Sequence, residues 1–168
     1  WGDSDNDSGG DSSSVSDQLT NVQSISANKD AFAAIKSDGS VVTWGPADGG
    51  GDSSAVSDQL LDIQSISGTA VSFAALKTDG SVVTWGFDSY GGDSSSVAEQ
   101  LTNIKSISAT SGAFAAIKAD GSVVTWGHAN LGGDSSPVAD QLTDVQSIYS
   151  GNHAFAAIKQ NGTVLTWG

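Results

Sequence analysis

Residues 31–45 read A-F-A-A-I-K-S-D-G-S-V-V-T-W-G, and the phrase returns three more times. It is S-F-A-A-L-K-T-D-G-S-V-V-T-W-G at 72–86, A-F-A-A-I-K-A-D-G-S-V-V-T-W-G at 113–127 and A-F-A-A-I-K-Q-N-G-T-V-L-T-W-G at 154–168. Trp44, Trp85, Trp126 and Trp167 therefore stand 41 residues apart. A fixed period of this size marks stacked supersecondary units. The expectation is a single repeat domain over 1–168, with repeats 3–45, 46–86, 87–127 and 128–168. Trp1-Gly2 matches the tail of a preceding copy, so the chain reads as an excerpt of a longer array.

Within each copy two extended runs flank Asp38-Gly39, Asp79-Gly80, Asp120-Gly121 or Asn161-Gly162. Such dipeptides favour β-hairpins because Gly, and less readily Asp or Asn, reach the left-handed backbone region. Gly39, Gly80, Gly121 and Gly162 are accordingly structural. Asn161 stands where the other copies have Asp, so the position serves backbone geometry rather than a charged ligand. In the second strand Val42 and Trp44 face one way and Val41 and Thr43 the other; in the first, Phe32 and Ala34 oppose Ala31, Ala33 and Ile35. Both faces are apolar and both must be covered. The four tryptophans follow this pattern and read as core.

The remaining segments are less decisive. V-Q-S-I-S-A (22–27) and its copies read as partly exposed strands. In D-S-S-S-V-S-D-Q-L (11–19) Val15 and Leu19 have helical spacing, with Asp or Ser placed to cap a turn, and Pro137 fits the start of such a turn. A short helix and an irregular loop both fit. The loops after the tryptophans vary around a constant Gly-Asp, as expected of exposed turns on a fixed scaffold.

Two architectures cover both faces of such a hairpin. In a β-solenoid, or an open superhelical stack of small sheets, equivalent residues lie over one another. Direct stacking would set Asp11, Asp52, Asp93 and Asp134, and likewise Lys36, Lys77, Lys118 and Lys159, about 4.8 Å apart in like-charged ladders. A β-propeller separates equivalent residues far more. The expected fold is therefore all-β, a propeller-like array of four 41-residue blades.

The repeat V-x-S-I-x-x…A-F-A-A-I-K-x-D-G-S-V-V-T-W-G-x-x-x-x-G-G resembles that of the regulator of chromosome condensation family, especially its shorter prokaryotic versions. The resemblance covers nearly the whole chain and is most specific in the A-[IL]-K-x-[DN]-G-[ST]-V-x-T-W-G core. It implies a β-propeller with four-stranded blades. Where that family often has His at the start of the hairpin, this chain has Ala31, Ser72, Ala113 and Ala154. Gly-Gly, as at Gly91-Gly92, replaces the family's Gly-Gln, and four blades stand against its usual seven. The eukaryotic family member acts on a small GTPase and binds chromatin, but no motif here carries either activity over.

Nineteen acidic residues against six lysines, with no arginine, give a formal charge of −13. Nucleic-acid binding, which depends on Lys/Arg patches, is excluded on that ground. Without cysteine there are no disulfides and no thiolate sites. No apolar run is long enough for a membrane-spanning helix, so no membrane insertion is expected. Phosphate-loop, G-x-S-x-G and H-E-x-x-H signatures do not occur, and the chain is expected not to be an enzyme.

Three candidate sites remain. Asp3, Asp5 and Asp7 alternate as oxygen ligands do in calcium loops, although Ser8 stands where such loops need Gly and Ser14 where they need Glu. Calcium at the 3–7 loop is the single cofactor the sequence suggests. Asp11 and its copies either supply one ligand per blade or cap the following turn, and capping is the simpler reading. His128 and His153 do not recur and read as surface loop residues. Phe87 and Tyr90, found in the second repeat alone, are the candidate ligand-binding aromatics. The expected function is a non-enzymatic structural or assembly scaffold, extracellular or at the cell surface, whose partners are copies of itself or adjacent repeats. The alternative is a discrete propeller binding module that holds a glycan or protein ligand in its blade loops.

Overall fold

The computed structural model describes residues 9–168, and the Asp3, Asp5 and Asp7 candidate lies outside them. Twelve strands form four sheets of three. Blade 1 holds β1 (Val22–Ala27), β2 (Phe32–Lys36) and β3 (Val41–Trp44), and blade 2 holds β4 (Ile63–Gly68), β5 (Ser72–Lys77) and β6 (Val82–Gly86). Blade 3 holds β7 (Ile104–Ala109), β8 (Ala113–Lys118) and β9 (Val123–Gly127), and blade 4 holds β10 (Val145–Ser150), β11 (Phe155–Lys159) and β12 (Val164–Trp167). Each sheet is antiparallel in sequence order and belongs to one repeat, the arrangement of propeller blades rather than of a solenoid.

The fourth strand that the family resemblance implies is not formed. The segment preceding each sheet is a 3₁₀ helix, Ser13–Gln18, Ser54–Gln59, Ser95–Gln100 or Ser136–Gln141. Asp11, Asp52, Asp93 and Asp134 explain it: each carboxylate accepts the backbone N–H two residues on at 2.8–2.9 Å, closing a turn where a strand would extend. Pro137 sits in the first turn of its helix, where its missing N–H costs nothing.

The hairpins form as expected, with a correction to the turn. Gly39, Gly80, Gly121 and Gly162 have φ of +78° to +82°, whereas the preceding Asp or Asn is not left-handed. Gly39 N–H donates to Lys36 C=O, so the turn is a type I turn closed by a glycine bulge rather than a two-residue loop. The preceding side chain accepts the N–H of Ser40, Ser81, Ser122 or Thr163 at 2.9–3.0 Å, for Asn161 as for the aspartates. An acceptor oxygen is what the position requires.

Each first strand carries a bulge, between Val22 and Ser24 in β1 and at the equivalent places in β4, β7 and β10. The extra residue turns Val22 and Ile25, three apart, onto one face of the sheet, which accounts for the mixed polarity of the strand. That face, the front, also carries Phe32, Ala34, Val42 and Trp44; the back carries Ala31, Ala33, Ile35 and Val41.

Blades join back to front. The back of blade 1 packs on Leu60, Ile63, Ile66, Phe73, Ala75, Val83 and Trp85 of blade 2, and two further cores repeat this between blades 2 and 3 and between blades 3 and 4. Cross-strand Phe–Trp pairs stack with centroids 5.1–5.3 Å apart in every blade. Trp85, Trp126 and Trp167 donate Nε1–H to Gly50, Gly91 and Gly132 C=O of the preceding loop. Those glycines have φ of +89° to +99°, and a Cβ at Gly91 would come within 2.6 Å of the Phe114 ring. The loop after each tryptophan thus lies over the aromatic pair of the next blade. No core joins blade 4 to blade 1 among the described residues, and the array is open.

Candidate functional site

The loop after Trp85 departs from its counterparts. Residues Asp88–Tyr90 form a single 3₁₀ turn closed by left-handed Gly91. This local frame is shared with Ala47–Gly49 and Ala129–Leu131, so the scaffold is common and only the side chains differ. In blade 2 those side chains are aromatic. Phe87 is 48% exposed and meets Tyr90 edge-on, with centroids 5.8 Å apart.

Two buried hydroxyls hold the loop. Ser72 Oγ donates to Phe87 C=O at 2.8 Å, and Thr69 Oγ1 to Tyr90 C=O at 3.2 Å. Both side chains are almost wholly buried, so the anchor points are rigid. In the sequence Ser72 stands only as a departure from the family's histidine. Its signal was that the one repeat with aromatic loop residues also has Ser where the other three have Ala. Thr110 makes the equivalent bond to Leu131 C=O, and Asn28 Nδ2 to Gly49 C=O.

Phe87 and Tyr90 border a hollow of about 400 Å³ together with Lys29, Asp30, Asp48, Gly49, Ala70 and Val71. Residues from four loops, two between first and second strands and two after tryptophans, thus converge. Lys29 lies 3.9 Å from Asp30 and is mostly exposed, so the pair contributes little to stability and its charges remain available. The lining offers an aromatic wall with two carboxylates and one ammonium at the rim, a surface suited to an apolar group flanked by charge.

His128 begins the next loop. Its ring lies 5.6 Å from that of Tyr90, and it is half-buried rather than a free surface residue. Its Nδ1 is the one buried side-chain polar atom without a hydrogen-bond partner among the described residues. His153 is exposed. The four tryptophans that recur with the repeat are buried in the blade cores.

Among the described residues no group of three or more His, Asp or Glu is placed to hold a metal ion. The aspartates of the repeat are occupied locally. Hydrogen bonds from the Ser13 and Ser54 backbones hold Asp11 and Asp52 below the ordinary carboxylate range. Asp38, Asp79 and Asp120 are lowered first by the side-chain hydroxyls of Ser40, Ser81 and Ser122 and then by their N–H groups. No helix of the described chain is long and apolar enough to cross a membrane.

No family model matches the chain, and no curated protein matches it. Solved structures do. Yeast RCC1 (Prp20), in its crystal structure bound to Kap60, superposes with a TM-score of 0.66 at 18% identity over 92% of this chain and 45% of its own. Human WBSCR16 gives 0.60 at 19% identity, over 88% of this chain and 47% of its own. The ectodomain of the Physcomitrella patens receptor kinase CR4 gives 0.61 at 17% identity, over 88% and 38%. The chain has the RCC1-like β-propeller fold that its repeat resembles, and it spans less than half the length of these structures.

Proposed function

We propose that the chain is a protein-binding propeller module, with the loop face at Phe87 and Tyr90 as its contact surface. The observation that carries this reading is the half-exposed Phe87, held by Ser72 and braced on Tyr90 at the edge of a charged hollow. Aromatic anchors in rigid surroundings dominate protein interfaces because they bury a large area at little conformational cost. Yeast RCC1 (Prp20), which shares the fold, is bound to Kap60 in its crystal structure. With a formal charge of −13, the chain favours a segment that presents an apolar side chain between Lys or Arg residues. Scaffolding through the terminal blade faces, the first expectation from the sequence, concerns another surface and does not compete for these loops.

Selection of phage-displayed random peptides against the chain tests the proposal. Enriched peptides are expected to be basic around an aromatic or aliphatic residue. Phe87→Ala with Tyr90→Ala should weaken them by about 2 kcal/mol or more, roughly thirtyfold. Ser72→Ala, which installs the residue native to the equivalent positions 31, 113 and 154, should weaken them less and leave the fold intact. Peptides that bind the double variant equally well, or a glycan array that responds where peptides do not, would overturn the protein-binding reading.

A further inference from the structure

The two ends of the blade array are the two halves of an interface that the chain already builds three times. On the front of blade 1, Leu19, Val22 and Phe32 are partly exposed and Ile25 is 57% exposed. Their counterparts inside the array are Leu60 at 3%, Ile63 at 5%, Phe73 at 0% and Ile66 at 9%. On the back of blade 4, Ala154 is exposed, Ala156 and Ile158 are partly so, and Val164 is 57% exposed. Ala113, Ala115 and Ile117 occupy the same places in blade 3 and are at most 6% exposed.

The polar bonds between blades are also left half-made. Ile63, Ile104 and Val145 N–H donate to Gly39, Gly80 and Gly121 C=O of the preceding blade. Val22 N–H and Gly162 C=O are the donor and acceptor one step beyond that series at either end. A second series links the loops between the first two strands of each blade: Lys29 N–H to Ala70 C=O, Ala70 N–H to Ser111 C=O and Ser111 N–H to Asn152 C=O. It leaves an acceptor at Lys29 C=O and a donor at Asn152 N–H. Donor meets acceptor in both series if the back of blade 4 is laid on the front of blade 1.

We infer that the back of blade 4 docks on the front of blade 1 of a second copy of this chain, and that two such junctions close a pair of chains into one ring. The occupant is a second copy because each terminal face has the residues of a contact already present within the chain and backbone groups that find no partner among the described residues. Two copies are indicated by extent: 88% or more of this chain superposes on 45–47% of the yeast RCC1 and human WBSCR16 chains. One position departs. Ser26, Ser67 and Ser108 donate Oγ–H to the next blade at 2.8–3.1 Å, but blade 4 has Tyr149 there, 61% exposed. A phenol is too long for that bond, so the junction between copies is wider along β10 and β1 than those within a copy. The contact is apolar between chains of like charge, so added salt strengthens it by screening their repulsion.

Sedimentation velocity over a concentration series reaching about 100 μM tests the inference. The wild-type chain is expected at twice its chain mass. Ile25→Glu and Val164→Glu each place a charge on an already exposed residue, spare the internal cores and should weaken pairing at least tenfold, with circular dichroism reporting the retained sheet. Mixing the two variants is decisive, because the intact back of one then meets the intact front of the other and a pair returns. A wild type that stays monomeric, pairing that survives both substitutions, or a mixture that fails to re-pair would each overturn the head-to-tail contact. Assemblies that lengthen beyond two copies would overturn the closed pair.

Discussion

Phe114 and Phe32 occupy the same place in the same repeat phrase, yet one is wholly buried and the other partly open. Ile66 and Ile25 differ more, at 9% and 57% exposed. Nothing local distinguishes the members of these pairs: strand, bulge and cross-strand partner are equivalent. The difference is the neighbouring blade. In this fold a hydrophobic residue gains its stabilising contacts from the adjacent copy, so interior and terminal blades are chemically alike and energetically distinct.

The largest contrast lies in the cores. Phe114→Ala should cost about 3–5 kcal/mol in urea denaturation, because the ring fills the space between Trp126 and Gly91. Phe32→Ala should cost less than about 2 kcal/mol at protein concentrations too low for pairing, since part of the ring then meets solvent. Equal losses at that dilution would break the comparison, whereas a Phe32→Ala loss that grows with protein concentration would report the front of blade 1 covered by a second copy.

The turn glycines sharpen it. Gly121 and Gly162 share φ of +82°, but a Cβ at Gly121 would lie 3.1 Å from the Asp144 Cα of the next blade, while nothing lies within 4 Å of one at Gly162. Gly162→Ala should therefore cost only the left-handed strain, about 1–2 kcal/mol. Gly121→Ala should cost about 1 kcal/mol more, measured in the same way.

Ser67→Ala removes one inter-blade hydrogen bond and should cost about 1 kcal/mol in thermal or urea denaturation. Tyr149→Ser at the free end should leave the stability of the single chain unchanged. If it instead tightens pairing in sedimentation, the terminal junction is approaching the geometry of an internal one.

The smallest effect concerns pH. Asp38, Asp79 and Asp120 are held below the ordinary value of 3.8 in the folded chain. Their contribution is complete above that value and fades as pH falls through the folded pKa values, because the unfolded chain takes up protons first. The hairpin turn of blade 4, with Asn161, lacks this sensitivity. The variant Asp38→Asn, Asp79→Asn, Asp120→Asn should melt slightly lower than the wild type at neutral pH and lose less of its melting temperature below pH 3.8.

Much of this was legible in the residues. Alternation along 31–45 assigned both faces of the hairpin correctly, and the register that pairs Phe32 with Trp44 and Ala34 with Val42 follows from it. The loop aromatics stood out because they broke the repeat. Their support did not: Ser72 and Thr69 act on carbonyls 15 and 21 residues away, and no local pattern announces such a bond. Asn21, Asp62, Asn103 and Asp144, left-handed at φ of 54–58° before each first strand, carry no such signal either, since Asn and Asp serve many roles besides that one.

The sequence alone determined the period, the hairpins, the apolar faces and the aromatic core, because these depend on backbone propensity and on alternation within a few residues. Tertiary structure decided the rest. Among the described residues it showed three strands per blade rather than four, a bulge that brings Val22 and Ile25 to one face, and no core joining blade 4 to blade 1. Those features depend on which surfaces meet across 41 residues, and identical repeats carry no mark of having, or lacking, a neighbour.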